Sequence, residues 1–129
     1  MKRIELSIKT IDRSGFYDIT DEVTKILDDE CSLINLFLPH TTAALIISDK
    51  VPQVNVDTNT IFSRIFPLTD PEYTHRSPNS DAHIKNVVCG VELTIPVQEC
   101  KLFIGEWQRI FLAEGDGPKD SRKVICTLL

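Results

Sequence analysis

The sequence contains no apolar run approaching the roughly 20 residues that a membrane-spanning helix needs. Its opening segment, MKRIELSIKT, alternates polar and apolar side chains and lacks the continuous apolar core of a secretory signal. No two of its cysteines form a CxxC pair, which is typical of reduced thiols; they are Cys31, Cys89, Cys100 and Cys126. We therefore expect a soluble, cytoplasmic protein without a membrane partner.

The features of nucleic-acid and nucleotide binding are also missing. The formal net charge is -5 and the 14 basic residues are scattered, which argues against a surface that binds duplexes by neutralising phosphates. The sequence has no GxGxxG, no GxxxxGK[ST] and no GxSxG, so no site for a dinucleotide, a triphosphate or a nucleophilic serine is predicted. Any anionic ligand must therefore meet a local cluster of polar side chains.

The apolar pattern that is present predicts several strands and about three helices. Ile4, Leu6 and Ile8 alternate with polar residues, which is typical of a half-buried strand. Apolar or alternating runs predict further strands at residues 33–38, 43–47, 91–97, 102–114 and 122–129. We predict helices near residues 20–27, 53–66 and 80–89. The second helix carries Val54, Ile61 and Ile65 on one stripe, which makes that stripe the expected packing face.

Together these elements predict an α+β fold of layered, mainly antiparallel β-sheets with about three helices. A length of 129 residues suits one compact domain. Residues 67–81 contain three prolines and no apolar periodicity, which predicts a long loop of a kind that often carries function. The many apolar strand segments need cover, so we also expect a homo-oligomer.

The three histidines of the chain lie where packing in a core explains them poorly. His40 interrupts the apolar run PHTTAALII, His75 lies in the predicted loop, and His83 is in the first turn of the third helix. Three imidazoles from different elements can bind a transition metal and leave a fourth position for water or substrate. Unrelated polar residues are the alternative, and imidazole alone does not distinguish zinc, copper, nickel and iron(II).

Other polar residues would suit such a site. Asp57 and Asp81 could orient imidazoles by accepting hydrogen bonds from them. Hydroxyl and cationic side chains could hold an anionic group of a substrate, and the candidates are Thr41, Thr42, Lys85 and Arg109. The alternative for each charged residue is a solvated surface position, and for Trp107 a place in the core.

Several short motifs, taken in order, resemble the YjbQ family, also called UPF0047 or secondary thiamine-phosphate synthase-like. They are HTTAALII at 40–47, YTH at 73–75, NSDAHIK at 79–85, GEWQRI at 105–110 and EGDGP at 114–118. The resemblance spans residues 1–129 as a single YjbQ-like domain. It implies an α+β fold that often assembles as a homotrimer. It also implies a metal site, for which we expect zinc, built from His40, His75 and His83.

The resemblance and the residues together give a set of candidate site residues. The predicted catalytic residues are Lys85, Asp49 and Glu114, and the predicted substrate contacts are Thr41, Thr42, Tyr73, Trp107, Gln108 and Arg109. The chain also departs from the family pattern. It has Ser48-Asp49 where the family usually has Asn-Glu, and Lys119 where the family has an arginine, and lysine does not reproduce a bidentate guanidinium contact.

Three functions remain open at this point. The first is a transferase like the thiamine-phosphate synthases, which join a thiazole phosphate to a pyrimidine methyl diphosphate. The second is a metal-dependent hydrolase of a phosphorylated small molecule, because three neutral imidazoles and one open position can activate water. The third is a trimeric protein that binds a small molecule or a metal without catalysis.

Overall fold

The computed structural model describes all residues from Met1 to Leu129. The chain forms eight strands and three helices. The strands are β1 (Lys2–Thr10), β2 (Gly15–Asp18), β3 (Leu33–Phe37), β4 (Ala43–Asp49), β5 (Glu92–Gln98), β6 (Lys101–Leu102), β7 (Gln108–Glu114) and β8 (Lys119–Leu128). The helices are α1 (Thr20–Lys25), α2 (Pro52–Ile65) and α3 (Ser80–Cys89).

The strands form two sheets in which every pairing is antiparallel. One sheet has five strands in the order β1-β8-β3-β5-β6, and the other has three in the order β2-β7-β4. Strand β8 is an interior strand of the larger sheet because it pairs with both β1 and β3. The predicted α+β fold with mainly antiparallel sheets and three helices is confirmed.

The hydrophobic core joins the inner faces of the two sheets. Ile34 and Leu36 of β3 and Val124 of β8 come from the larger sheet, and Leu45 of β4 and Leu112 of β7 come from the smaller one. All of these side chains are almost completely buried. Burial alternates along β3 and β8, whereas β4 and β7 each contain three consecutive buried residues, and both α2 and α3 pack on β4 of the smaller sheet.

Helix α3 is fixed to the smaller sheet by a side-chain amide. The Nδ2 group of Asn86 donates to the backbone carbonyls of His40, at 2.9 Å, and Ala43, at 2.7 Å. Gly115 allows the β7–β8 turn to approach this helix, because a Cβ atom there would lie 2.9 Å from the Cβ of Ala82. These contacts place α3 beside the start of β4.

Helix α2 packs much more loosely than its sequence predicts. None of its residues is buried, and the stripe of Val54, Ile61 and Ile65 is exposed. The side of the helix that carries Asn59 and Phe62, about 100° around the axis from the stripe, lies over the three-stranded sheet. The apolar stripe therefore faces outward, contrary to our expectation.

None of the helices has the length and apolarity that crossing a membrane requires.

Candidate functional site

Two of the three histidines lie together in an open pocket between the long loop and α3. The rings of His75 and His83 meet edge to face with their centroids 5.1 Å apart. The pocket, which we call the histidine pocket, is also lined by Glu72, Tyr73 and Ser80. Its volume is about 680 Å³, part of which is open to solvent. The pocket thus brings two imidazoles to a place that small molecules can reach.

His40 lies apart from this pair and has a different environment. Its Nε2 atom accepts a hydrogen bond of 2.8 Å from the backbone N–H of Lys123, so this nitrogen is the neutral, unprotonated one. Partial burial, followed by the nearby positive charge of Arg122, lowers the pKa of His40. The imidazole is therefore kept neutral, which is the form that binds metals.

The structure does not bring all three histidines together within one chain. No three side chains among the His, Cys, Asp and Glu residues converge at the spacing that a metal ion requires. His75 and His83 supply two nitrogen ligands side by side, which is half of a tetrahedral set. The three-histidine site thus stays a prediction, and only two of its three histidines, His75 and His83, lie together in the chain.

The side chain of Lys85 lies on the opposite side of α3 from the side chain of His83. Residues two positions apart on a helix point about 200° apart, and Lys85 lines a narrow pocket beneath α2. Its ammonium group lies 3.8 Å from Asp81, whose two oxygens already accept hydrogen bonds of 3.0 Å from Arg13. Asp81 therefore pairs with cations and not, as we expected, with an imidazole.

Glu114 is part of a buried polar cluster at the end of β7. Its carboxylate accepts hydrogen bonds from the Arg122 guanidinium, the Thr10 hydroxyl, and the backbone N–H groups of Gly115 and Asp116. Burial alone would raise the pKa of Glu114, but these hydrogen bonds, chiefly from Arg122, hold it below its ordinary value. Both oxygens of this carboxylate are fully engaged, which favours a structural role over proton transfer.

The predicted threonines differ in exposure and contacts. Thr42 is buried, and its hydroxyl accepts a hydrogen bond of 2.9 Å from Arg122 in the same cluster. Thr41 is exposed at the start of β4. Only Thr41 therefore keeps a hydroxyl that a ligand can reach from solvent.

The remaining candidates are spread over several places. Tyr73 lies in the histidine pocket, and its hydroxyl donates to the carbonyl of Pro67 at 2.8 Å. Asp49 accepts the backbone N–H of Val51 at 2.7 Å, which caps the turn before α2. Asp57 is exposed on α2. Of these three, only Tyr73 lies beside the histidine pair.

The GEWQRI segment leads into β7, the middle strand of the smaller sheet. Gln108 accepts the backbone N–H of Gly105 at 2.8 Å, and Arg109 pairs with Asp18 at 2.7 Å. The hydrogen bond that Arg109 donates to Asp18 raises the pKa of this guanidinium. Trp107 is 53% exposed and carries the ammonium of Lys50 over its ring at 4.4 Å. These side chains form a surface patch of their own, separate from the histidine pocket.

Sequence reasoning missed the two arginines that organise the site region. Arg13 fixes Asp81 at the start of α3, and Arg122 fixes Glu114. Neither arginine belongs to a motif, so only the acidic residues within motifs gave a signal. An arginine near a turn such as DGPKDSR is a detectable hint, but its partner Glu114 lies on a strand of the other sheet, so the pair follows only from how the two sheets pack.

Comparisons with known proteins agree with this architecture. The family model for UPF0047 protein YjbQ-like matches residues 4–129. A UPF0047 protein of Archaeoglobus fulgidus is 34% identical over 127 residues, which is 97% of this chain and 100% of that protein. The YjbQ protein of Salmonella typhimurium is 37% identical over 122 residues, 88% of each chain.

Solved structures show the same fold. The conserved hypothetical protein TT1486 from Thermus thermophilus has a TM-score of 0.93 at 35% identity, covering 98% of this chain and 99% of that one. A YjbQ/UPF0047 family protein from Clostridium acetobutylicum has a TM-score of 0.91 at 36% identity, with the same coverage. The chain belongs to the UPF0047 YjbQ-like family.

Proposed function

We propose that the protein is a metal-binding enzyme that acts on a phosphorylated small molecule in the histidine pocket. The observation that carries this proposal is the pair of imidazoles, His75 and His83, 5.1 Å apart in an open pocket. No side-chain hydrogen bond ties either ring, whereas the ring of His40 is tied to β8. Two free imidazoles this close suit a shared ligand better than they suit packing.

The donor set fits a transition metal of the zinc type. Imidazole nitrogens are common ligands of zinc, and sites with open positions leave room for water or substrate. A bound metal would supply a Lewis acid for a phosphoryl or diphosphate oxygen. In the pocket itself, Tyr73 offers an aromatic wall and Ser80 a hydroxyl beside the pair. His40 is the predicted third ligand, and the metal content of a His40→Ala variant tests whether it binds the metal.

We propose as the leading reaction the coupling of a thiazole phosphate to a pyrimidine methyl diphosphate, in which the thiazole nitrogen displaces the diphosphate to give thiamine phosphate and free pyrophosphate. Support comes from the motif resemblance within the UPF0047 YjbQ-like family and from the aromatic wall of Tyr73, on which a pyrimidine can stack. Lys85 was expected to neutralise the diphosphate. Lys85 lies across α3 from the histidine pair, and no lysine or arginine lines the histidine pocket, so in this proposal a bound metal would neutralise the diphosphate.

The first test is the metal content of purified protein, with His40→Ala, His75→Ala and His83→Ala variants at matched circular dichroism. We expect one transition metal per chain in the wild type and a loss of at least about tenfold in metal affinity for His75→Ala and His83→Ala. Lys101→Ala, an exposed change on β6, is the control and should keep full metal content. Treatment with a chelator should abolish thiamine-phosphate formation, and added metal should restore it.

The outcomes separate the versions of the site. If His40→Ala also loses the metal, the three-histidine site of the sequence prediction holds. If only His75 and His83 matter, the site has two protein ligands. A wild type that binds no zinc, iron, copper or nickel after each is supplied would overturn the metal proposal. The coupling assay without metal would then test the pair as direct substrate contacts.

A second candidate is a metal-dependent hydrolase of the same class of substrate. The openness of the histidine pocket favours it, because water has free access to any metal held by His75 and His83. This candidate would be favoured over the transferase by two results together. The wild type would hydrolyse a small phosphate ester but show no coupling activity, and His83→Ala would lose the hydrolysis.

We also propose that the chain assembles as a homotrimer. The outward stripe of Val54, Ile61 and Ile65 on α2 supports assembly, since such an apolar strip gains by burial against another copy. The trimer number itself comes from the motif resemblance. A trimer that binds the metal or a phosphorylated small molecule but turns over neither substrate class would favour the non-catalytic alternative.

A further inference from the structure

A smaller pocket adjoins the histidine pocket and shares three lining residues with it. It is formed by the loop before α3, and its volume is about 480 Å³, part of which is open to solvent. Tyr73, His75 and Ser80 line both pockets, whereas His83 lines only the histidine pocket. We call the smaller one the arginine pocket, after its lining residue Arg76. A ligand held at the histidine pair is therefore within reach of the arginine pocket.

The guanidinium group of Arg76 has no partner within the chain. Arg76 is exposed and takes part in none of the ion pairs. Arg13, the other arginine near the start of α3, is in contrast held by both carboxylate oxygens of Asp81. The N–H donors of Arg76 thus remain available, and a planar guanidinium can donate two parallel hydrogen bonds to the oxygens of one phosphate.

A buried hydroxyl without a partner lies at the boundary of the two pockets. Ser80 is only 8% exposed, and its hydroxyl makes no hydrogen bond within the chain. This hydroxyl is not sealed off, because the only fully enclosed side-chain atom without a partner is the Oδ1 atom of Asn79. Since an unpaired polar group at a buried position is costly, the hydroxyl of Ser80 favours a ligand that binds it from the pockets.

The same serine is the first residue of α3, a helix of ten residues. The side chain of Asn79 precedes it and makes no capping hydrogen bond. The backbone N–H groups of Ser80 and Asp81 donate to no acceptor in the chain. Free N–H groups and the positive end of the helix dipole, equivalent to about half an elementary charge, attract an anion to this end of the helix.

Two carboxylates lie near the start of α3, and only one of them faces the arginine pocket. Asp81 is neutralised by Arg13 at 3.0 Å and by Lys85 at 3.8 Å. Asp70 lines the arginine pocket, where one of its oxygens accepts the backbone N–H of Glu72 at 2.8 Å. The charge of Arg76 offsets that of Asp70, so the helix end leaves the pocket with a net positive potential.

We propose that the arginine pocket binds a phosphate group, with the guanidinium of Arg76 and the hydroxyl of Ser80 donating hydrogen bonds to it at the start of α3. The inference rests on the proposed function in one respect, because it assigns this phosphate to the substrate of the histidine pocket. In the leading reaction it is the phosphate of the thiazole, which the coupling leaves intact. The histidine pocket has no lysine or arginine of its own, so Arg76 supplies the cation that anchors the substrate.

The test titrates inorganic phosphate and phenyl phosphate into the full chain in the presence of a chelator. NMR follows the side-chain Nε–H of Arg76 and the backbone N–H of Ser80. We expect a Kd of about 1 mM or tighter at low salt and shifts of both signals. At matched circular dichroism, Arg76→Gln should weaken binding at least about tenfold and Ser80→Ala about threefold, because hydrogen bonds to the phosphate are lost. Arg3→Gln, an exposed change on β1, is the control and should bind like the wild type.

Asp70→Asn provides a change of the opposite sign. The carbonyl of the new side chain can still accept the N–H of Glu72, whereas the negative charge beside the phosphate is removed. We therefore expect Asp70→Asn to bind inorganic phosphate about threefold more tightly than the wild type. Weaker binding in this variant would contradict a phosphate at this position.

Failure of this inference and failure of the proposed function give different results. Phosphate binding that persists in His83→Ala but falls in Arg76→Gln supports the arginine pocket, even if the protein binds no metal. Three results would overturn the inference whatever the metal content. They are no binding of either probe up to about 10 mM, wild-type binding in Arg76→Gln, and loss of binding in His83→Ala, which would place the phosphate at the histidine pair.

Discussion

Glu114 shows at the residue scale how a motif acid can belong to the fold. Its side chain is fully buried and paired with Arg122, whose side chain is 4% exposed. Because removing one partner of a buried ion pair leaves the other charge uncompensated, we expect Glu114→Gln to lower the free energy of unfolding by about 3 kcal/mol. Chemical denaturation at neutral pH measures this change.

The control is Glu5→Gln, which removes an exposed carboxylate 4.0 Å from Lys123. It should change the free energy of unfolding by less than about 0.5 kcal/mol. If Glu114→Gln were as mild as this control, the buried cluster would not stabilise the fold.

The same carboxylate makes a contribution to stability that depends on pH. The pKa of Glu114 in the folded chain lies below its ordinary value of 4.5, so the unfolded chain takes up the proton first as the pH falls. The stabilisation is therefore complete above pH 4.5 and is lost as the pH falls through the folded-state pKa. Denaturation from neutral to strongly acidic pH should show a weaker acid dependence in Glu114→Gln than in the wild type.

At the scale of elements, Asn86 connects α3 to the strand that follows His40. Its Nδ2 group satisfies the two carbonyls of His40 and Ala43, and no other side chain replaces it. Asn86→Ala leaves both carbonyls short of a partner, so we expect a loss of about 2 kcal/mol in the free energy of unfolding. Thermal denaturation measures the loss.

Val87→Ala provides a matched control on the same helix, because Val87 is 80% exposed. It should shift the free energy of unfolding by no more than about 0.5 kcal/mol. Equal effects of the two changes would show that the amide bridge does not hold α3 in place.

The behaviour of α2 shows where prediction from the sequence ends. The helical spacing of Val54, Ile61 and Ile65 identifies the helix correctly, since periodicity reports local geometry. It does not report which side meets the rest of the chain, because another copy can cover an apolar stripe just as well as the core can. Here the polar side with Asn55 and Asn59 faces the sheet.

For the candidate site too, local geometry could be predicted from the sequence, whereas tertiary packing could not. The family resemblance implies that His75 and His83 share a site, and the structure places their ring centroids 5.1 Å apart where the loop returns to α3. The separation of His83 and Lys85 also follows from helix geometry and could have been read from the sequence. The isolation of His40 could not, since it depends on β8 packing beside the β3–β4 connection.

For the whole molecule, the outward stripe of α2 predicts an assembly that one charge can disrupt. We expect the wild type to sediment as a trimer and Ile61→Lys to sediment as a monomer with an unchanged circular dichroism spectrum. A buried lysine without a partner opposes association, whereas the protomer leaves this position 45% exposed. Analytical ultracentrifugation measures the difference.

Thr60→Lys is the control, because Thr60 is also exposed but points about 100° away from Ile61 around the helix. It should keep the wild-type assembly. A monomeric wild type, or an Ile61→Lys variant that stays assembled, would contradict the proposed interface.

The alternation along β8 sets how the chain tolerates changes in length. Arg122, Val124 and Cys126 point inward, while Lys123 between them is exposed and donates its backbone N–H to His40. Deleting one residue from the middle of this strand would turn every later side chain to the opposite face and expose the core to water. A deletion scan should therefore find β8 intolerant of even single-residue losses, while the proline-containing loop before α3 accepts them.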